Sequence, residues 1–499
     1  MPAGRFGMVK GLAVAAVLPV IAVASAVAGN VPAGFGAHFT DRTMRVDFLH
    51  DGDARSETIS IVRIMREGRW PGSRTHLIDP TNLGLYRAEV FDTSGAKRLW
   101  SKGFNSYFGE YAATAAAKKG VRRAYEQTIR FPWPKAPVLL MIEKRRRNGT
   151  YSRVAETKID PSNPAIVRER PAGGVLTLPP RRAHDIHRAV DLVVLGEGYT
   201  RRQTRTFRKD LEHFKSVLFG QEPYASLRNS INVWGVLPYS EDPGCDEPGR
   251  GVWRRTALDL SFDSLGSPRY LLTENNRAVR DAAAHVPYDA IVIMVNHDRY
   301  GGGGIYNLYC VFTAHNRWTD YLFLHEFGHS FTGLADEYYS SAVAYEDFYP
   351  KGIEPPEPNI TALLDPAHLK WTGLVTPGTP IPTPWPKAEY DRFETAYQKQ
   401  RQEYNAKIAE AMRSGAPATK VDKLKRAAEK LSRSNAARVQ ELFAGSRFAG
   451  KVGAFEGAGY VSKGMYRPML DCIMFSKGKK PYCKVCERAI RRMIEWRGE

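Results

Sequence analysis

Residues 321–338 contain the motif that most constrains how this chain can fold. They read Y-L-F-L-H-E-F-G-H-S-F-T-G-L-A-D-E-Y, so that H-E-x-x-H is followed by x-x-x-G-L-x-D-E-Y. Residues four apart lie on one face of a helix, so His325 and His329 can present two imidazole nitrogens to a single ion. Glu326 lies beside them as a base for a metal-bound water. The motif predicts a zinc hydrolase, and a pair of hydrogen-bonded core histidines is the non-catalytic alternative.

The residues after the motif must supply a third metal ligand, because catalytic zinc usually takes three protein ligands and a water. Gly333 is a natural helix C-cap, where a positive φ turns the chain back toward the metal. We expect the carboxylate of Asp336 to be the third ligand of one catalytic Zn²⁺, with Glu337 as the alternative. The carboxylate that does not bind the metal is expected to anchor the turn.

Residues 1–28 have the features of a secretory signal peptide. Arg5 and Lys10 precede a small and apolar run, 11–27, which ends in Ala-x-Ala-like sequences. The sequence therefore predicts a secreted or periplasmic protein, and an uncleaved N-terminal anchor is the alternative. The run is short and alanine-rich for a membrane span.

The formal net charge of +19 is spread along the chain, with clusters at 144–147 and 181–182. Nucleic-acid binding fits poorly with an exported chain that has no recognition motif. The charge is compatible with association with an anionic envelope surface, or simply with solubility. Nothing in the sequence indicates an oligomer.

Residues 39–161 are rich in strand-like segments separated by Asp-Gly, Ser-Gly and Asn-Gly turns. We interpret them as an antiparallel β-sandwich domain that binds or positions the substrate, since they contain no catalytic constellation. A linker rich in proline and glycine is expected over 162–188.

Residues 189–499 are predicted to form the catalytic domain. Buried strands at 190–195, 231–237 and 290–295 alternate with helices at 200–218 and 276–284, which indicates an α/β layer. Two charged helices within 387–443, broken by Ser-Gly-Ala-Pro, indicate an inserted helical hairpin.

Two further segments bear on the expected site. Gly302 and Gly303 lie in a four-glycine run before the strand 308–313, where zinc peptidases have an edge strand that pairs with substrate backbone; a plain flexible hairpin is the alternative. Met474 follows a tight turn and is the candidate for the methionine that lies beneath the metal in metzincin-type sites.

The five cysteines are too few to build the fold through disulfides. Cys472, Cys483 and Cys486 resemble part of a second zinc site. Three thiolates without a clear fourth ligand favour a loop-closing disulfide instead, and the odd number of cysteines leaves one thiol over.

The chain resembles the IgA-peptidase family of secreted bacterial zinc metallopeptidases. The resemblance extends over about 190–490 apart from the insert, and residues 39–161 are similar to the domain that precedes the peptidase in many members. It rests on five blocks in the same order: L-G-E-G-Y-T at 195–200, Y-G-G-G-G at 300–304, the motif 325–338, F-E-G-A at 455–458, and Y-R-P at 466–468 with C-I-M at 472–474.

The resemblance implies an α/β (α+β) zincin or metzincin-like catalytic domain with zinc on His325 and His329 and Glu326 as the base. It implies endopeptidase activity on a protein or peptide substrate. The spacing to Asp336 is one residue longer than in the usual metzincin pattern, where a histidine stands at that point.

In this interpretation zinc activates a water, and Glu326 takes its proton and delivers it to the leaving amine. Tyr338, Tyr460 and Tyr466 are the candidates for stabilising the oxyanion, and Gly302, Gly303, Tyr338 and Tyr466 for binding substrate. Two alternatives remain: a zinc-dependent amidase or esterase acting on cell-wall material, and a non-catalytic envelope-binding protein. The intact Glu326 argues against the last.

Overall fold

The computed structural model describes residues 34–169, 173–340 and 349–498. The segment predicted to be a signal peptide, 1–28, lies outside these ranges. Among the described helices, none is long and apolar enough to cross a membrane.

The N-terminal part consists mostly of antiparallel strands. The elements are α1 (Phe35–His38), β1 (Phe39–Gly52), β2 (Glu57–Arg66), β3 (Tyr86–Asp92), β4 (Arg98–Phe104), α2 (Tyr107–Ala112), α3 (Ala115–Lys118), β5 (Arg123–Pro134), β6 (Val138–Arg145) and β7 (Tyr151–Ile159). The sheets have the orders β2-β1-β5 and β4-β3-β6-β7, and every pairing within them is antiparallel. This confirms the predicted antiparallel β character.

Both N-terminal sheets contribute to one hydrophobic cluster. Val46 and Phe131 from the first sheet and Val90 and Leu140 from the second are all almost fully buried in it. Alternate residues of a strand point to one face, so each sheet turns its apolar face toward this cluster. The cluster gives the N-terminal part a core of its own.

The rest of the chain forms a mixed α/β fold, as predicted. Its elements are β8 (Val175–Leu178), β9 (Val190–Glu197), α4 (Thr204–Phe219), β10 (Ile231–Pro238), α5 (Asn276–Ala283), β11 (Ala290–Val295), β12 (Gly302–Ile305), β13 (Tyr309–Thr313), α6 (Thr319–Thr332), α7 (Lys387–Arg413), α8 (Ala418–Ala444), β14 (Phe455–Ala458), β15 (Val461–Arg467) and α9 (Lys484–Gly498).

Six of these strands form a sheet of order β12-β13-β11-β9-β10-β8. The four inner strands are parallel, and the two edge strands, β12 and β8, are antiparallel to their neighbours. Residues 175–178, which the sequence suggested to be part of a linker, are the edge strand β8. Apolar residues alternate with Thr177 there, which suits a strand exposed on one side.

The two faces of this sheet are covered by different elements. Leu192 and Val194 of β9 pack in one cluster with residues of α4, α6 and α9. Val193 and Leu195 pack on the other side with α5, the loop around Leu258 and residues of α2. The sheet thus places α6, which contains the H-E-x-x-H motif, on one face and the N-terminal part against the other.

Polar contacts also join the N-terminal part to the sheet. Arg130 Nη1 donates to the Tyr288 carbonyl oxygen at 2.7 Å, and Asn276 Nδ2 donates to Thr128 Oγ1 at 2.9 Å. The buried Arg45 pairs with Asp281 at 2.7 Å. These contacts hold the N-terminal part at a defined place beside the catalytic sheet.

The predicted helical hairpin consists of α7 and α8, which are antiparallel. Asn435 bonds to Glu394 at 2.8 Å, and Tyr397 bonds to Ser432 at 3.3 Å. Tyr397 follows Glu394 along α7, whereas Ser432 precedes Asn435 along α8, so the two helices run in opposite directions. Near its base, Phe443 packs into the main core, whereas the distal residues pack in a separate cluster.

Candidate metal centre and cleft

Helix α6 carries the motif and ends where the sequence predicts. Gly333 caps it with φ 66° and ψ 33°, in the left-handed region that favours glycine. The Gly333 and Leu334 N–H groups donate to the carbonyls of His329 and Gly328 at 2.9 and 3.2 Å. The chain therefore reverses immediately after the helix and brings Asp336 back beside it.

Three atoms that could bind a metal converge at this point. His325 Nε2 and His329 Nε2 are 3.2 Å apart, and Asp336 Oδ1 lies 3.0 Å from the first and 3.2 Å from the second. Ligand atoms bound to one tetrahedral zinc at about 2.0–2.2 Å lie about 3.2–3.6 Å apart. The spacing is close to that of a three-ligand metal centre.

Both imidazoles are oriented by hydrogen bonds through their other nitrogen. His325 Nδ1 donates to the Ile473 carbonyl at 3.0 Å, and His329 Nδ1 donates to the Leu334 carbonyl at 2.6 Å. In the neutral imidazoles these bonds select the tautomer whose Nε2 lone pair is free to bind a metal beside Asp336. Apart from the two imidazoles, Asp336 Oδ1 is buried without a hydrogen-bond partner among the described residues, which fits a metal ligand.

Asp336 and Glu337 lie on different sides of the turn. Asp336 Oδ2 accepts a short hydrogen bond from the Tyr460 hydroxyl, while its Oδ1 faces the histidines. Glu337 is fully buried away from them, and its Oε1 accepts from Asn359 Nδ2 at 3.1 Å. Of the two carboxylates that the sequence left open, Asp336 is the one beside the imidazoles.

The electrostatics of the site follow from this close packing. Burial lowers the pKa of His329, but the Asp336 carboxylate more than offsets it and raises that pKa to about 9. Burial raises the pKa of Asp336, yet the two histidines hold it well below its usual range. Protons and a metal ion would compete for the same atoms, so metal affinity falls as pH falls.

Glu326 lines the cleft beside the three ligand atoms. Its carboxylate lies within 4.8 Å of ligand atoms of His325 and His329. Burial raises the pKa of Glu326, and the two histidines partly oppose this effect. A raised pKa brings a carboxylate closer to the range in which a general base works at neutral pH.

Met474 lies beneath α6. It is fully buried, and a Cβ built on Gly328, between the two histidines, would lie 3.0 Å from Met474 Sδ. The carbonyl of the preceding Ile473 accepts the His325 hydrogen bond. The turn that contains Ile473 and Met474 therefore contacts α6 both through a backbone carbonyl and through an apolar side chain.

The glycine run forms the edge strand β12, which lies against α6. A Cβ on Gly304 would overlap the Glu326 carbonyl oxygen and crowd His329 Cβ, and a Cβ on Gly302 would lie 3.2 Å from Glu326 Cγ. Only glycine allows this strand to lie so close to α6. Gly302 also accepts a hydrogen bond from the Leu271 N–H at 3.3 Å.

These elements line one cleft of about 990 Å³. Besides the metal centre and β12, its walls include Leu83, Asn105 and Glu110 from the N-terminal part. The helical hairpin also lines the cleft, through Tyr397, Arg401, Asn405, Lys425, Glu429 and Ser432. The pair Arg317–Glu429, at 2.9 Å, joins the hairpin to the loop before α6.

The three candidate tyrosines occupy different positions. Tyr338 lines the cleft, with its ring stacked on His325 at a centroid distance of 6.2 Å. Tyr460 bonds to Asp336. Tyr466 lies on β15, opposite Glu456, and is not among the described residues that line the cleft.

Arg269 is a cleft residue that the sequence did not indicate. Its Nη2 donates to the Tyr338 hydroxyl at 3.1 Å, and its Nε is buried without a hydrogen-bond partner among the described residues. It belongs to an irregular loop with no motif, so only its position in space singles it out.

The comparison with family models agrees with the resemblance drawn from the sequence. The model described as IgA Peptidase M64 matches residues 181–494, and the model described as Peptidase M64 N-terminus matches residues 34–155. No curated protein sequence matches the chain.

Proposed function

Because the chain belongs to the IgA peptidase M64 family and is therefore a peptidase, we propose that it is a secreted zinc-dependent endopeptidase. The supporting observation is the convergence of His325, His329 and Asp336 on one point, with Asp336 Oδ1 buried and otherwise without a hydrogen-bond partner among the described residues. We propose a metzincin-like arrangement for the catalytic domain and a β-sandwich for the N-terminal domain.

Zinc bound by these three residues would supply a water of lowered pKa and polarise the scissile carbonyl. Glu326 would accept a proton from the attacking water and pass it to the leaving amine, since it lies beside the candidate ligand atoms and burial raises its pKa. The backbone carbonyls of Ile473 and Leu334 keep both imidazoles in the metal-binding tautomer. Met474 supports the metal helix from below.

Substrate backbone is proposed to pair with the outer edge of β12. Backbone groups alternate in direction along a strand. The Gly301 carbonyl accepts from the Thr313 N–H of β13. Gly302 and Gly304 therefore direct their backbone N–H and carbonyl groups away from β13. The Gly302 carbonyl already accepts from Leu271. Gly304 is therefore the principal residue proposed to pair with an extended peptide.

Stabilisation of the oxyanion is assigned to Tyr338 together with Arg269. The Tyr338 ring lies next to His325, and the Arg269 guanidinium donates to its hydroxyl. A cation beside the phenol strengthens it as a hydrogen-bond donor to a developing negative charge. Tyr460 is assigned instead to holding Asp336, and Tyr466 is left without a role in the cleft.

The hairpin and the N-terminal part are proposed to restrict access to the metal centre. Both line the cleft, and the ion pair Arg317–Glu429 joins the hairpin to the loop before α6. An extended peptide segment fits between these walls more easily than a folded domain. The protein is proposed to act outside the cytoplasm, where its net positive charge would favour contact with an anionic envelope surface.

A substrate panel with a base variant tests this function. Unstructured peptides, muropeptides and simple esters would be incubated with wild type, Glu326→Gln and the exposed control Glu212→Gln, with and without chelator. We expect the wild type and the control to cleave internal peptide bonds. Glu326→Gln should keep its zinc while kcat/KM falls about 10²- to 10⁴-fold.

Other outcomes would contradict parts of the proposal. Cleavage restricted to muropeptides or esters would replace the endopeptidase by an amidase or esterase with the same site. Full activity of Glu326→Gln would remove the assigned base. Absence of hydrolysis across the panel by zinc-loaded protein would favour an envelope-binding protein.

A further inference from the structure

A second group of possible metal ligands lies behind the catalytic site. Glu337, Cys472, Cys483 and Cys486 are all buried, and their ligand atoms all lie within 4.8 Å of one another. The three cysteines carry free thiols rather than the disulfide expected from the sequence. Glu337 supplies the fourth group that the sequence alone did not identify.

The distances within the group are close to those of tetrahedral coordination. Cys472 Sγ and Cys486 Sγ are 3.9 Å apart, and Glu337 Oε1 lies 3.3 Å from Cys486 Sγ and 3.7 Å from Cys483 Sγ. With Zn–S bonds of about 2.3 Å and Zn–O bonds of about 2.0–2.2 Å, tetrahedral geometry places sulfurs about 3.8 Å apart and sulfur and oxygen about 3.5–3.7 Å apart. Four ligands without an open position are typical of a structural zinc site.

Backbone groups support negative charge on the sulfurs. The Cys483 N–H donates to Cys472 Sγ at 3.2 Å, and the Cys486 N–H donates to Cys483 Sγ at 3.4 Å. Cys483 directly precedes the fifteen-residue helix α9, and Cys486 lies in its first turn. The partial positive charge at a helix N-terminus stabilises thiolates.

The buried carboxylate also favours a positively charged partner. Glu337 is fully buried, and its Oε2 has no hydrogen-bond partner among the described residues. Burying a charged or polar atom without a partner is costly. The buried Arg467 guanidinium, which influences Glu337 electrostatically, donates hydrogen bonds to the carbonyls of Glu456, Gly457 and Leu470.

We propose that these four residues bind a second, structural zinc ion through three thiolates and one carboxylate. It joins the turn after α6, the segment before Met474 and the start of α9. Because Glu337 follows Asp336 directly, this ion fixes the turn that presents Asp336 to the catalytic histidines. Neither the site nor the ion depends on the reaction that the cleft catalyses.

Metal analysis of purified protein, prepared without reductant or chelator, tests the proposal. We expect two zinc ions per wild-type chain and one in His325→Ala/His329→Ala, which lacks the catalytic imidazoles. Cys483→Ser/Cys486→Ser should lose one zinc ion. Cys245→Ser and Cys310→Ser, which alter buried free cysteines outside the group, should keep two.

A spectroscopic measurement on chains with all cysteines intact guards against misfolding of the cysteine variants. X-ray absorption at the zinc edge of His325→Ala/His329→Ala should show a first shell dominated by sulfur. Cobalt-substituted wild type should show a thiolate-to-metal charge-transfer band. One zinc ion per wild-type chain overturns the proposal. The protein mass then shows whether the three thiols are free or whether two of them form a disulfide, which lowers the mass by two hydrogens. A first shell without sulfur overturns the proposal as well.

Discussion

The backbone N–H of Glu337 donates a 2.8 Å hydrogen bond to the carbonyl oxygen of Met474. This bond joins the turn that follows α6 to the turn around Met474, which lies beneath α6. Asp336 and Glu337 are adjacent in sequence, yet the first faces two imidazoles and the second faces three thiols. Two consecutive carboxylates thus belong to two separate clusters, one on each side of the same piece of backbone.

Tyr460→Phe should weaken binding of the catalytic zinc about 10- to 100-fold, the usual effect of removing a partner that orients a metal ligand. The Tyr460 hydroxyl holds Asp336 through Oδ2 and leaves Oδ1 for the metal. Competition with a chromophoric chelator measures the affinity, and kcat at saturating zinc should change little. Tyr466→Phe, outside the cleft lining, is the matched control. Equal zinc affinity in both variants would show that Tyr460 does not orient the ligand.

Gly304→Ala should reduce kcat/KM on the order of 10²-fold, because the methyl group of the introduced alanine displaces β12 from α6. The new Cβ would overlap the Glu326 carbonyl oxygen and crowd His329. Gly373→Ala is the control, since a Cβ there meets nothing within 4 Å. Steady-state kinetics with an unstructured peptide make the comparison. If Gly304→Ala and the control were equally active, close packing of β12 against α6 would have no importance for catalysis.

Shortening the hairpin should increase cleavage of folded protein substrates without increasing that of short peptides. The base residues Tyr390, Phe393 and Phe443 belong to the main core, whereas the tip has its own cluster. Residues 400–429 can therefore be replaced by a short turn joining Lys399 to Lys430. The ratio of kcat/KM for a folded protein to that for a short peptide is the readout. An unchanged ratio would mean that the hairpin does not limit access.

Glu57 should make the stability of the N-terminal part fall at acidic pH. Burial raises the pKa of this carboxyl, but hydrogen bonds from His50, Lys144 and Tyr86 and the Lys144 charge lower it from 4.5 to about 2. A pKa that is lower in the folded state means that the ionised form stabilises folding. This stabilisation is complete above pH 4.5 and is lost as the pH falls toward 2. It amounts to about 3 kcal/mol.

Urea unfolding of wild type and Glu57→Gln at neutral pH and near pH 3 measures this effect. The wild type should be more stable than the variant at neutral pH, and the difference should shrink at the acidic pH. Glu169→Gln, at an exposed position, serves as control and should match the wild type at both pH values. A difference independent of pH would show that the stabilisation does not come from ionised Glu57.

Much of the secondary structure followed from local sequence patterns. The hairpin helices were expected within 387–443 and extend from Lys387 to Ala444. Helix periodicity and the Gly333 cap are determined by neighbouring residues, so they can be read from the sequence. Strand β8 was missed because a four-residue edge strand has little pattern of its own and is defined by its pairing with β10.

The sequence by itself determined the chemistry of the site: two imidazoles and a base on one helical face, a glycine turn after them and carboxylates within reach. It also indicated the family. The features of the site depend on residue type and on spacing within residues 325–338.

Only the tertiary structure decided which carboxylate faces the histidines, which tyrosine holds it and which residues line the cleft. Asp336 meets Tyr460 across 124 positions, and Glu337 meets Cys486 across 149. Contacts between residues so distant in sequence depend on how the sheet, α6 and α9 pack together. No local pattern records that packing, so neither the choice between adjacent carboxylates nor the fourth member of the cysteine group could be inferred before the fold was known.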